Sequence, residues 1–373
     1  MVSSDSITLY IGTYTRRESF VDGKAEGIYI YHLDPSSGEL TYAATVTGAG
    51  TLNPSFLTLG PDKSCLYAVN EITGGNAPYG KGLHGTVSAF AIDSVTGQLS
   101  YLNQQSTHGL APCYTSIEPQ GRYCLVANYE TGTVCVLPIQ KDGRLGEATA
   151  TVQFSGSGPN PERQEGAHAH MVVPSPNGGF ILAVDLGTDR LMAFRLDLER
   201  GTLSPADSPW TQLPPGAGPR HLAFHPHRPF AYVISELRST VTVCRYLEQR
   251  GTFEALQTIS TLPDDFTGQN LGGEIMVAPS GRFVYASNRG HDSLAIYAAD
   301  PETGQLALVG HESTQGGGPR AFIIDPSGAL LLVANQDTDT VVTFWIDQNS
   351  GTLQATGHVA AVPTPVCLQL YSA

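Results

Sequence analysis

Residues able to do chemistry recur in this chain at fixed offsets from a series of prolines. Six positions before Pro61, Pro119, Pro176, Pro226, Pro279 and Pro326 stand Ser55, Cys113, His170, Arg220, Gly273 and Arg320. Ten positions after the same prolines stand Glu71, Tyr129, Leu186, Glu236, Arg289 and Gln336. Packing alone gives a repeated position no reason to hold His, Arg and Arg, or Glu, Glu and Arg. Clustered arginines suit an anion, since each guanidinium presents a planar fork of donors to carboxylate or phosphate oxygens. A Glu or His beside them could move a proton. The competing reading is structural, with the same groups pairing across neighbouring repeats. His168 lies two residues from His170, so on a strand both would face one side. A metal centre would need a third ligand that the spacing does not supply, and neither metal nor cofactor is expected.

These columns belong to a repeat that runs through the chain. Nine residues after each proline comes a small polar residue: Asn70, Asn128, Asp185, Ser235, Asn288 and Asn335. The intervening stretches (CLYAVN, YCLVAN, FVYASN, LLLVAN) are short, apolar and β-prone. Segments such as GTVSAFAID, STVTVCRYL and DTVVTFWID alternate β-branched and aromatic residues and read as a further strand. A Gly turn then leads into a last strand, at Gly38, Gly97, Gly143, Gly201, Gly251, Gly304 and Gly351. Each unit is therefore strand, Pro turn, strand, loop, strand, Gly turn, strand. Seven such units predict an all-β fold, a seven-bladed β-propeller with four antiparallel strands per blade. Residues 1–373 are expected to form one domain.

The phase of the repeat predicts how the ring closes. YIGTYT at the N-terminus matches the second strand of a unit, with Thr13 in the small-polar column, while PTPVCLQL near the C-terminus matches a first strand. The C-terminal strand should pair into the N-terminal blade and remove an open seam. In a propeller the first strand of each blade lines the channel, and its start lies on the same face as the end of the second strand. The two columns, with Tyr14 and Val366 from the closing blade, should therefore converge at one channel mouth.

Composition narrows the partners. The chain has 20 Lys plus Arg against 34 Asp plus Glu, a formal charge of −14. That disfavours nucleic acid, whose binding rests on neutralising phosphates, yet leaves room for a local Arg site. No run of apolar residues is long enough to cross a membrane as a helix. No basic-then-apolar leader opens the sequence, and the six Cys show no C-x-x-C pair. A cytoplasmic protein with reduced thiols, a monomer or weak homodimer, is the expectation.

The segments NPSFLTLGPD, HAHMVVPSPNG, GPRHLAFHP, ISELRSTVTV, YASNRGHDSLAIY and GGGPRAFIIDPSG resemble the seven-bladed propeller lactonases. That family includes bacterial 6-phosphogluconolactonases and fungal carboxy-muconate lactonising enzymes. The resemblance covers essentially the whole chain. It implies catalytic roles for His170, Arg220, Glu236 and Arg289, all of them already in the two columns. Tyr114 and Met276 stand where the family often carries His.

The activity so implied is hydrolysis of a small anionic sugar lactone, foremost 6-phosphoglucono-1,5-lactone in the oxidative pentose phosphate pathway. Such chemistry needs a base for water, donors for the developing oxyanion and an acid for the leaving ring oxygen. Glu236 or His170 would be the base, and Arg220 would polarise the carbonyl. Arg289 and Arg320 would hold the anionic end, with His168, Glu71 and Asn288 as further substrate contacts. The alternatives are a carboxy-muconate-type cycloisomerase, a lactonase for a different sugar acid, or a non-catalytic binding module.

Overall fold

The computed structural model describes residues 6–73 and 85–372. Seven four-stranded antiparallel sheets are arranged as a β-propeller, and no helix occurs among the described residues. The inner strands are Pro365–Tyr371, Leu57–Leu59, Pro112–Ile117, Ala169–Pro174, Pro219–Phe224, Leu271–Val277 and Pro319–Ile324, for blades one to seven. The second strands are Ile7–Thr13, Cys65–Asn70, Tyr123–Asn128, Ile181–Asp185, Phe230–Ser235, Phe283–Arg289 and Leu330–Asn335. They are the apolar stretches of the repeat, and almost all of their residues are buried. Apolar clusters fill the space between successive sheets, as where Leu182 and Val184 of blade four meet Ala231 and Val233 of blade five.

The ring closes as the repeat phase predicts. Ile7–Thr13 pairs antiparallel with Pro365–Tyr371 on one side and with Ile28–Leu33 on the other, in the register Leu9↔Leu370 and Leu9↔Tyr31. The last segment of the chain is thus the innermost strand of the first blade.

Two of the repeat markers have a direct structural cause. The seven turn glycines sit at φ between +67° and +83°, a region costly for residues with a Cβ. Several also lie against the aromatic of the preceding blade: a Cβ on Gly351 would come within 2.3 Å of Phe283, and one on Gly251 within 2.7 Å of Phe180. The carbonyls of Gly97, Gly143 and Gly351 accept hydrogen bonds from Tyr10, Tyr67 and Tyr285. These bonds tie blade one to two, two to three and six to seven.

The small-polar column fastens second strands to neighbouring loops. Asn70 donates to the carbonyls of Gly50 and Leu52, Asn128 to Thr107 and Asn335 to Thr314. Asp185 accepts from the backbone N–H of His168 and Gly187. Each bond gives a backbone group between or within blades a partner.

Candidate active site

Each inner strand reaches the channel mouth through an irregularity. The register breaks at Cys113, His170, Arg220, Gly273–Glu274, Arg320 and Val366, where an extra residue bulges from the ladder. A bulge re-aims its side chain and ends regular pairing. The first predicted column is therefore a ring of bulged residues in every blade but the second. The second column begins immediately where the second strands end.

The two columns meet around a cavity of about 840 Å³. Its lining includes Glu71, Cys113, Tyr129, His170, Glu236, Arg289, Arg320 and Gln336 from the columns. Phe20, at the tip of a hairpin formed by Arg17–Glu18 and Val21–Asp22, closes one side. The wall mixes charges: Arg163, Arg289 and Arg320 face Glu71, Glu130, Glu236, Asp292 and Asp337.

Glu236 organises one half of the site. Its Oε2 lies 2.7 Å from Arg289 Nη2 and 3.3 Å from Arg220 Nε, while Oε1 lies 2.5 Å from Arg163 Nη2. Burial alone would raise its pKa, but Arg289, Arg163 and Arg220 outweigh burial and hold it down to about 2. Arg289 also donates to the Gly272 carbonyl at 2.8 Å. Burial, opposed by Glu236, brings its pKa down to about 10, so it stays charged at neutral pH.

The other half is built on Glu71. Tyr14 and Ser55 donate to its Oε2 at 2.8 and 2.6 Å. Arg320 in turn donates to the Tyr14 hydroxyl at 3.0 Å and lies over that ring. His170 packs edge-on against Tyr129 and His221, with Cys113 Sγ 3.8 Å from its Nδ1. Burial, then Arg220, His221 and Arg320, pushes its pKa well below the usual histidine value, so the imidazole is neutral at pH 7.

Three expected contacts are corrected. Asn288 is fully buried; its amide donates to the Thr261 carbonyl and its oxygen accepts from the Thr261 hydroxyl, so it braces the fold and does not line the cavity. His168 is stacked on Tyr129, with its ring nitrogens near the Tyr129 carbonyl and Glu165, and it too lies outside the lining. It shares no strand face with His170, because it precedes Ala169–Pro174 and His170 is the bulged residue. Arg220 is 4% exposed, bonded through Nη1 to the Gly273 carbonyl at 2.7 Å, and likewise outside the lining. It therefore touches Glu236 and the Gly273 carbonyl rather than the cavity.

Arg163 is the site residue that the repeat does not reveal, because it lies in a loop outside both columns. The signal that could have found it is length: the unit from Gly143 to Gly201 spans 58 residues against 46 for the unit before it. The surplus is the stretch SGSGPNPERQEG, which carries Arg163 to the mouth. Buried His221 and partly buried Glu274 pair at 2.8 Å, with Tyr114 edge-on to His221.

Known proteins carry the same fold and much of the same sequence. The family described as Lactonase, 7-bladed beta-propeller, matches residues 8–370. The 6-phosphogluconolactonase of Bacillus subtilis (strain 168) is 38% identical over 316 residues, 85% of this chain and 84% of the relative. A 6-phosphogluconolactonase of Formosa agariphila is 32% identical over 323 residues, 85% of this chain and 86% of its own. The structure of the periplasmic gluconolactonase of Pseudomonas aeruginosa superposes with a TM-score of 0.89 at 35% identity, covering 99% of both chains. On its repeat, its ring closure and this match, the chain belongs to the seven-bladed β-propeller lactonase family.

Proposed function

We propose that this chain is a lactone hydrolase that converts 6-phosphoglucono-1,5-lactone to 6-phosphogluconate, as relatives of that name suggest. The observation that carries the reading is a neutral, buried His170 sharing one cavity with Arg289 and Arg320. A base must be unprotonated to work, and His170 is. Cys113 has backbone carbonyls within reach of its own S–H, so its sulfur can accept from Nδ1–H. That leaves Nε2 with the lone pair. Glu236, committed to three arginines, is the weaker base and the better organiser.

In this mechanism a water oxygen bonds to the lactone carbonyl carbon and His170 takes the water's proton. Arg289 meets the oxyanion that develops on the carbonyl oxygen. Collapse breaks the bond to the ring oxygen, which takes the proton back from His170, and the new carboxylic acid ionises into solvent. Arg320, across the cavity on Tyr14, holds the anionic end of the substrate. Arg220 fixes Glu236 and through it Arg289.

One observation favours a second reading, an unphosphorylated sugar lactone. Two of the three lining arginines already serve Glu236, and carboxylates outnumber arginines in the described lining. We further assign the chain to the cytoplasm, where its six free, buried thiols suit a reducing compartment, as one domain and a monomer or weak homodimer. The test is a pH-stat with freshly made 6-phosphoglucono-1,5-lactone. Hydrolysis releases one proton per lactone lost, whereas a ring-forming isomerase leaves this lactone at its spontaneous rate.

A further inference from the structure

We propose that Arg163 is a substrate-exchangeable cation, which covers Glu236 in the free enzyme and turns to the anionic end of the substrate on binding. The idea rests on the lactone-hydrolase reading above and adds the group that would distinguish phosphorylated from neutral lactones.

The three arginines on Glu236 are not equivalent. Arg220 and Arg289 both address Oε2, and each is also tied to a backbone carbonyl of the sixth blade, Gly273 and Gly272. Arg163 alone, among the described residues, addresses Oε1; its second partner is the Tyr129 hydroxyl at 3.1 Å. Its side chain is 35% exposed, against 4% for Arg220 and 14% for Arg289. Of the three it is the one that can leave Glu236 while staying partly in water.

Its mounting is fixed by hydrogen bonds within the loop and to the neighbouring blade. The loop is pinned by Gln164, which is fully buried and donates to the Leu186 carbonyl and to Asp189 Oδ1, both at 2.8 Å. Asn160 Oδ1 accepts from the backbone N–H of Glu162 and Arg163. The arginine is thus an arm on a pinned base, held at its tip only by Glu236 and the Tyr129 hydroxyl among the described residues.

Exchange has a chemical consequence. A phosphate that draws Arg163 away replaces one charge-assisted pair with another, so the cost of leaving Glu236 is offset by the new contact. Glu236 Oε1 then faces the cavity without its guanidinium and can accept a hydrogen bond from a substrate hydroxyl or from the attacking water. With one of three counter-charges gone, its affinity for such a proton rises. Substrates with an anionic end would trigger this exchange, and neutral ones would not.

The test compares kcat and KM on 6-phosphoglucono-1,5-lactone and glucono-1,5-lactone for wild type, Arg163→Gln and Arg163→Lys, with inorganic phosphate as inhibitor. Arg163→Gln is expected to lower the kcat/KM ratio, phosphorylated over unphosphorylated, by about 10–100-fold, the worth of one charge-assisted hydrogen bond. Phosphate inhibition should weaken in parallel, and Arg163→Lys should restore part of the ratio. A folded Arg163→Gln protein that keeps the wild-type ratio overturns the inference. So does a wild type that hydrolyses both lactones without preference, which leaves lactone hydrolysis itself standing. Hydrolysis of neither lactone overturns the functional reading and the inference with it.

Discussion

Glu236→Gln removes a charge that three arginines share, and its cost can be worked from the structure. Glu236 is 4% exposed, and Arg220 and Arg289 are too buried to be rehydrated in place. Removing one member of a buried ion pair costs about 3–5 kcal/mol. A second route gives a similar figure. A carboxyl held at about 2 instead of the usual 4.5 carries about 3 kcal/mol of pH-linked stability. Arg163 can relax toward water, so the lower end is expected. For 373 residues an unfolding entropy of about 2 cal/mol/K per residue turns 3–5 kcal/mol into a fall in Tm of about 4–7 °C.

The sign of the pH dependence follows from the depressed pKa. The Glu236 contribution is complete above about 4.5 and is lost as pH falls toward about 2. Urea unfolding of both proteins at pH 7, 5 and 3 should show the wild type ahead by about 3 kcal/mol at the first two values. At pH 3 the lead should shrink by about half. Equal stability at pH 7, or a difference that ignores pH, would refute the claim that Glu236 holds this cluster together.

Other outcomes are expected. His170→Asn should lower kcat by about 10²–10⁴-fold while the protein stays folded. In the wild type, the acid limb of kcat/KM should fall below the usual histidine range, since activity needs the neutral imidazole and its pKa is depressed; a limb at or above pH 6.5 would exclude His170 as the base. Deleting residues 365–373 strips the inner strand from the first blade and should abolish the cooperative unfolding transition, which circular dichroism on heating would reveal. All six thiols are free and buried, and burial raises the pKa of each. A thiol reagent should therefore react fast with all six only after denaturation.

The architecture was readable because each marker has a local cause. The turn glycines need positive φ, the second strands need apolar residues on both faces, and the closing strand keeps the pattern of its siblings even at the far end of the chain. The columns supplied eight of the residues that line the cavity for the same reason, since a repeat fixes where each position points. It could not show that the inner-strand residues are bulged, because a bulge leaves the spacing of the following proline unchanged. Asn288 misled because the small-polar column borders the site yet serves the backbone. Arg220 stands in the right column, but three arginines competing for one carboxylate sort by depth, which a sequence does not record. Arg163 sits in an insertion, outside any periodicity.

The most direct test is hydrolysis of freshly generated 6-phosphoglucono-1,5-lactone, beside glucono-1,5-lactone, by wild type and Glu236→Gln at a temperature where both are folded. The account predicts saturable catalysis above the spontaneous rate by the wild type, faster on the phosphorylated substrate, and loss of that catalysis in the variant. No rate above background on either lactone, or full activity without the Glu236 carboxylate, would contradict it.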